Sequence, residues 1–135
     1  MAIEQTLTTA AKAAALQALA TGTLKMALYT AAADLGDATT VYSTANEVVG
    51  TGYTAGGEVL TNVTVQTSGT TAYLDFDNVV WATADFTARG ALIYNTSSAN
   101  LAVAVLNFGS DKTATTTFTV QTPANTADAA LVRLT

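Results

Sequence analysis

The 135-residue chain has no histidine, no cysteine and a single proline. Without cysteine there is no disulfide framework, no thiolate nucleophile and no cysteine-bound zinc. Without histidine a serine triad of the usual kind lacks its base. Charge is also scarce. Charged residues make up 11% of the chain, against about a quarter in an average soluble domain, so much of the exterior must be solvated by hydroxyls and amides or covered by neighbouring subunits. Five basic and ten acidic residues leave a net charge of −5, which argues against a grip on a phosphate backbone, and no nucleic-acid partner is expected. Long apolar runs are missing too: the longest in the body is Leu101 to Leu106, far short of the ~20 residues of a membrane helix. Ala13 to Ala20 is small and apolar, but Glu4 stands where a signal peptide carries positive charge and Gln17 interrupts the stretch, so no secretion signal is expected.

What is present is alanine and threonine, each about a fifth of the chain and well above ordinary usage. Threonine's branched β-carbon suits a pleated surface, so the composition leans toward strands. One domain of this length buries roughly two-thirds of the surface its unfolded chain exposes. Residues 1–22 differ from the remainder. Ala10 to Ala20 is alanine-rich with Leu16 and Leu19 at helical spacing, Thr8 or Thr9 is placed to cap its start, and Gly22 ends it. The apolar stripe is thin, so this arm needs packing to stay helical and is the element expected to be mobile or exchanged.

Residues 23–135 read as the β domain. Leu24, Met26 and Leu28 alternate on one face of a first strand. A long glycine-rich connection, Asp34 to Gly57, implies a task or an ordering neighbour. Further strands are expected at Val59 to Gln66, Thr71 to Phe76, Asp85 to Asn95, Leu101 to Phe108, Thr116 to Gln121 and Ala130 to Leu134. Turns fall at Ser68-Gly69, Thr96 to Asn100, Gly109 to Lys112 and Pro123-Ala124-Asn125. Gly90, inside a good strand, marks a bulge or a close approach of another backbone. Short strands with regular turns give an all-β, antiparallel β-sandwich, jelly-roll-like first and immunoglobulin-like second, with a short N-terminal helix or arm.

Candidate chemistry is thin. Asp75 and Asp77 share a strand face, with Asn78 adjacent and Asp85 in reach, but the calcium-loop pattern is absent and the plain reading is a capped strand end. The loop Gly50-Thr51-Gly52-Tyr53-Thr54-Ala55-Gly56-Gly57 leads into a strand rather than a helix and so fails as a nucleotide fingerprint. Trp81, Phe76, Tyr73 and Tyr94 form either a sugar platform or, as this alanine-rich composition favours, core. Arg89 is expected to pair with Asp75, Asp77 or Asp85. Asn62-Val63-Thr64 and Asn95-Thr96-Ser97 match the glycosylation sequon. No catalytic residue, cofactor or metal is expected, and the protein is read as a non-enzyme.

Four strings, Leu28-Tyr29-Thr30, Gly50 to Gly57, Ala88 to Asn95 and Val105 to Thr113, resemble as a set small virion structural proteins of tailed bacteriophages. The resemblance covers roughly Leu24 to Thr135. It implies a β-sandwich protein present in many copies on the particle, most like a capsid cement or decoration protein, made in the bacterial cytoplasm and carried on the virion. The partners implied are the major capsid protein and the chain itself, as a homodimer or homotrimer, with no membrane. Ile3, Leu7, Leu16 and Leu19 of the arm and Tyr53 of the loop are then the candidate partner contacts. The alternative is a tail, baseplate or fibre component with a carbohydrate- or receptor-binding sandwich. A hydrolase using Asp75 and Asp77 is a third, minor class.

Overall fold

The computed structural model describes residues 2–123, 126 and 128–135. Helix α1 (Thr9–Ala20) is followed, among the described residues, by nine strands: β1 (Leu24–Tyr29), β2 (Glu58–Val59), β3 (Thr64–Ser68), β4 (Thr71–Asp75), β5 (Val79–Ala82), β6 (Phe86–Asn95), β7 (Leu101–Ala114), β8 (Thr117–Val120) and β9 (Arg133–Leu134). They form three antiparallel sheets with strand orders β2-β1-β6-β7, β3-β4-β9 and β5-β8. The fold is all-β and sandwich-like with one short N-terminal helix.

Alternation in β1 places Leu24, Met26 and Leu28 on the inner face, beside Ala91 and Ile93 of β6. Across the core they meet Ala72 and Leu74 of β4, Val79 and Trp81 of β5, and Phe118 and Val120 of β8. The other face of the same sheet is also covered. Ala27, Tyr29, Leu92 and Tyr94 form a second cluster, with Ala33, Leu35 and Tyr42 of the long connection packed over them. Burial on both faces explains why these strands read as nearly continuous apolar runs.

Thr8 caps α1, its Oγ1 accepting from the Ala11 amide at 3.2 Å. The helix packs on β3, β4 and β9 rather than standing away from the body. Leu16 lies in the main core. One turn earlier, buried Lys12 donates from Nζ to the Thr70 carbonyl at 2.7 Å. At the other end Asn95 Nδ2 donates to the carbonyls of Leu19 and Thr21, both at 2.8 Å, and so satisfies backbone acceptors that a helix C-terminus leaves open. Residues 2–8 carry no such anchoring and are exposed apart from the chain's own first helical turn.

Several boundaries differ from expectation. Val59 to Gln66 is not one strand: β2 pairs with β1 and β3 with β4, and the break falls at Asn62, whose φ of 55° is left-handed. Strand β5 was not anticipated, because Val79 to Ala82 is only four residues long and lacks flanking glycine or proline. β7 continues past Phe108 to Ala114, and the turn expected at Gly109 to Lys112 is instead a bulge within it. Ala88 pairs with Lys112 and Gly90 with Asn107, so residues 108–111 are pushed out opposite Arg89 alone. Gly90 does admit a neighbouring backbone, since a Cβ there would sit 2.7 Å from the Leu106 carbonyl oxygen. β9 is shorter than the Ala130 to Leu134 stretch. The turn expected at Pro123-Ala124-Asn125 falls on residues 124 and 125, which lie outside the described residues.

Candidate functional site

The most tightly organised polar site is a lock on the long connection, centred on Glu47. Glu47 is buried and bridges to Tyr29 at the end of β1. Its carboxylate accepts three hydrogen bonds: from Tyr42 Oη to Oε1 at 2.6 Å, from the Gly56 amide to Oε2 at 2.8 Å, and from Tyr53 Oη to Oε2. Tyr53 Oη also accepts the Leu28 amide at 3.0 Å, which ties the loop to β1. Tyr94 Oη donates to the Gly56 carbonyl at 2.7 Å, and its ring stacks on Tyr42 with centroids 4.5 Å apart. Tyr29 Oη donates to the Ser43 carbonyl at 2.7 Å. The loop is thus fastened by its own chain.

Burial first, and Glu47 next, through its hydrogen bonds to Tyr42 and Tyr53 and its charge near Tyr29 and Tyr94, raise the pKa of all four tyrosines; Tyr29 is pushed up to about 12. Each stays protonated through the neutral range and serves as a donor. Gly57 fits because the backbones touch: its φ is 80°, and a Cβ would overlap the Met26 carbonyl oxygen. Gly52 meets Thr83 in the same way. Gly50 likewise faces the Asp85 carbonyl oxygen, and these close backbone approaches account for Gly50, Gly52 and Gly57.

The residues singled out from sequence disperse. Asp77 accepts from Asn62 Nδ2 at 2.5 Å, while Asn78 Oδ1 receives the Thr122 amide at 2.8 Å, so the pair fixes neighbouring segments as strand-end caps do. Among the described residues no group of three or more carboxylates is placed to hold a metal ion. Arg89 pairs with Asp111 at 3.2 Å, not with Asp75, Asp77 or Asp85, because the β7 bulge carries Asp111 opposite it. Trp81 and Phe76 are core residues and Tyr94 lies under the loop, which removes them from any surface platform. Asn95 of the second sequon is fully buried. No helix among the described residues is long and apolar enough to cross a membrane.

The five partner-contact candidates separate into two groups. Ile3 is wholly exposed and Leu7 is 60% exposed. Leu16 is 1% exposed and Leu19 packs against the same core, so both serve the internal attachment of α1. Tyr53 is committed to Glu47 and lies edge-on to Phe86. Glu47 and Tyr42 escaped sequence reasoning. The available signal was a carboxylate beside Val48 and Val49, within six positions of two tyrosines, in a loop otherwise poor in charge. Comparison with protein-family models, curated proteins and solved structures found no match to this chain.

Proposed function

We propose that this chain is a non-catalytic structural protein of a tailed-bacteriophage virion, a cement or decoration protein that binds the outer capsid surface as an oligomer. The observation that carries this reading is the division between body and arm. In the body, Asp77, Asn78, Glu47, the glycine loop and most aromatics are consumed by the fold. The arm offers Ile3 wholly and Leu7 largely to solvent. A further support is that the four strings resembling phage virion proteins meet in one place: the end of β1, the loop locked onto it, the middle of β6 and the facing part of β7.

A subunit that binds only the closed shell stabilises it by mass action. The test is cosedimentation of the purified chain with shells lacking it, using wild type and the Ile3→Asp/Leu7→Asp variant. The reading requires saturable binding by the wild type and its loss in the variant. Binding of neither protein would remove the cement role and leave a tail or fibre position to be tested.

A further inference from the structure

β7 is the terminal strand of its sheet. Its start is covered, because the Ala102 amide donates to the Thr40 carbonyl at 2.9 Å and Leu101 bridges to Val41. Beyond Ala102, no backbone hydrogen bond joins its outer side to another element among the described residues. Free edges are ordinarily blunted by charge, proline or a covering segment. Leu101 to Ser110 contains neither charge nor proline. The edge of the other sheet, β3, is rich in exposed hydroxyl and amide side chains.

Beneath the β7 edge, where β7 and β8 diverge, lies a groove of 590 Å³ lined by Leu106, Phe108, Phe118, Val120 and Leu131, with Lys112 at its wall. Lys112 has no carboxylate within ion-pair distance among the described residues; Asp111 beside it is taken by Arg89.

The same chain carries a segment with the complementary chemistry. Residues 2–8 belong to no helix or strand and are exposed, and none of their backbone groups before Thr8 pairs with the body among the described residues. With a period of two, Ile3 and Leu7 point to one side of such a strand, and Glu4 is its single charge. Fully extended, the segment spans about 23 Å, enough to run beside residues 103–109 of β7. Its own groove is not where it goes: α1 begins at Thr9, is held to the β3–β4 turn through Lys12, and leaves Ile3 wholly exposed.

We infer that the arm of one copy adds as a strand to the β7 edge of a second copy, with Ile3 and Leu7 entering the groove. Backbone pairing supplies affinity and the alternate side chains supply register. This specifies the self-association that the proposed function assumes. It is tested on the purified chain alone, so it and the shell-binding reading fail separately.

The absence of cysteine gives a clean background for disulfide trapping. A chain carrying Leu7→Cys is mixed under mild oxidation with one carrying Thr119→Cys, an exposed groove-wall position, or with a control carrying Thr67→Cys on β3. The proposal expects a mixed disulfide at least about tenfold more abundant with Thr119→Cys, because docking raises the local thiol concentration. Light scattering should show that wild type is an oligomer and the Ile3→Asp/Leu7→Asp variant is not, at unchanged circular dichroism. Cross-linking no greater than the control overturns the proposal. So does a disulfide that forms only within a chain carrying both cysteines.

Discussion

Removing the Glu47 carboxylate strands three donors at once: Tyr42 Oη, Tyr53 Oη and the Gly56 amide. An unsatisfied buried donor costs about 1–3 kcal/mol, so Glu47→Ala should lose about 3 kcal/mol or more in urea unfolding, and Tyr53→Phe about 1.5–3. Glu47→Gln keeps the shape and one acceptor and should fall between wild type and alanine. The tyrosines add a pH dependence whose sign is fixed. Their folded pKa values lie above the unfolded value of 10, so their contribution is complete below pH 10 and is lost as pH rises through about 12 for Tyr29. Urea midpoints should be level from neutrality to about pH 9 and drop toward about pH 11, with a smaller drop in Tyr29→Phe. Trp81 presents the opposite case: its indole N–H is buried with no hydrogen-bond partner among the described residues. Trp81→Phe relieves that penalty while losing area, so it should cost less than about 1.5 kcal/mol, against about 3–5 for Trp81→Ala.

At the scale of elements, α1 is attached rather than free. Leu16→Ala should cost about 2–5 kcal/mol by opening a cavity in the main core, measured as a shift in thermal midpoint. Leu16→Asp would therefore disturb folding and says nothing about partner binding, which is why Ile3 and Leu7 are the positions to change. Gly57→Ala should undo the loop's docking on β1 and expose the tyrosine cluster, read as faster amide exchange at Leu28 and Gly56. The strands that alternate cleanly were legible in the sequence: Leu24, Met26 and Leu28 face the core as their period requires, and Thr8 caps where threonine can. Elements set by long-range partners were not. Val59 to Gln66 reads as one strand because valines line up locally, yet β2 and β3 answer to different neighbours. The partner of Arg89 differs from expectation for the same reason, since the β7 bulge brings Asp111 across. Glu47 takes its own donors from 5 to 9 positions away, but the loop is fastened to the sheet by contacts 14 to 38 positions apart, Tyr29 Oη to the Ser43 carbonyl and Tyr94 Oη to the Gly56 carbonyl, and no local period encodes such pairings.

The whole molecule is a small sandwich whose charged residues are few and whose internal chemistry is spent on holding one large loop and one helix in place. Two features at its periphery stand out among the described residues: an arm with two exposed apolar side chains and a strand edge above an apolar groove. The most direct measurement of this account is a saturation titration of the purified chain onto phage shells lacking it, read by cosedimentation and by shell melting. The account predicts saturable binding of many copies per shell with a raised melting temperature, both abolished by Ile3→Asp/Leu7→Asp. A stably folded chain that leaves shell mass and melting unchanged at every concentration would contradict it.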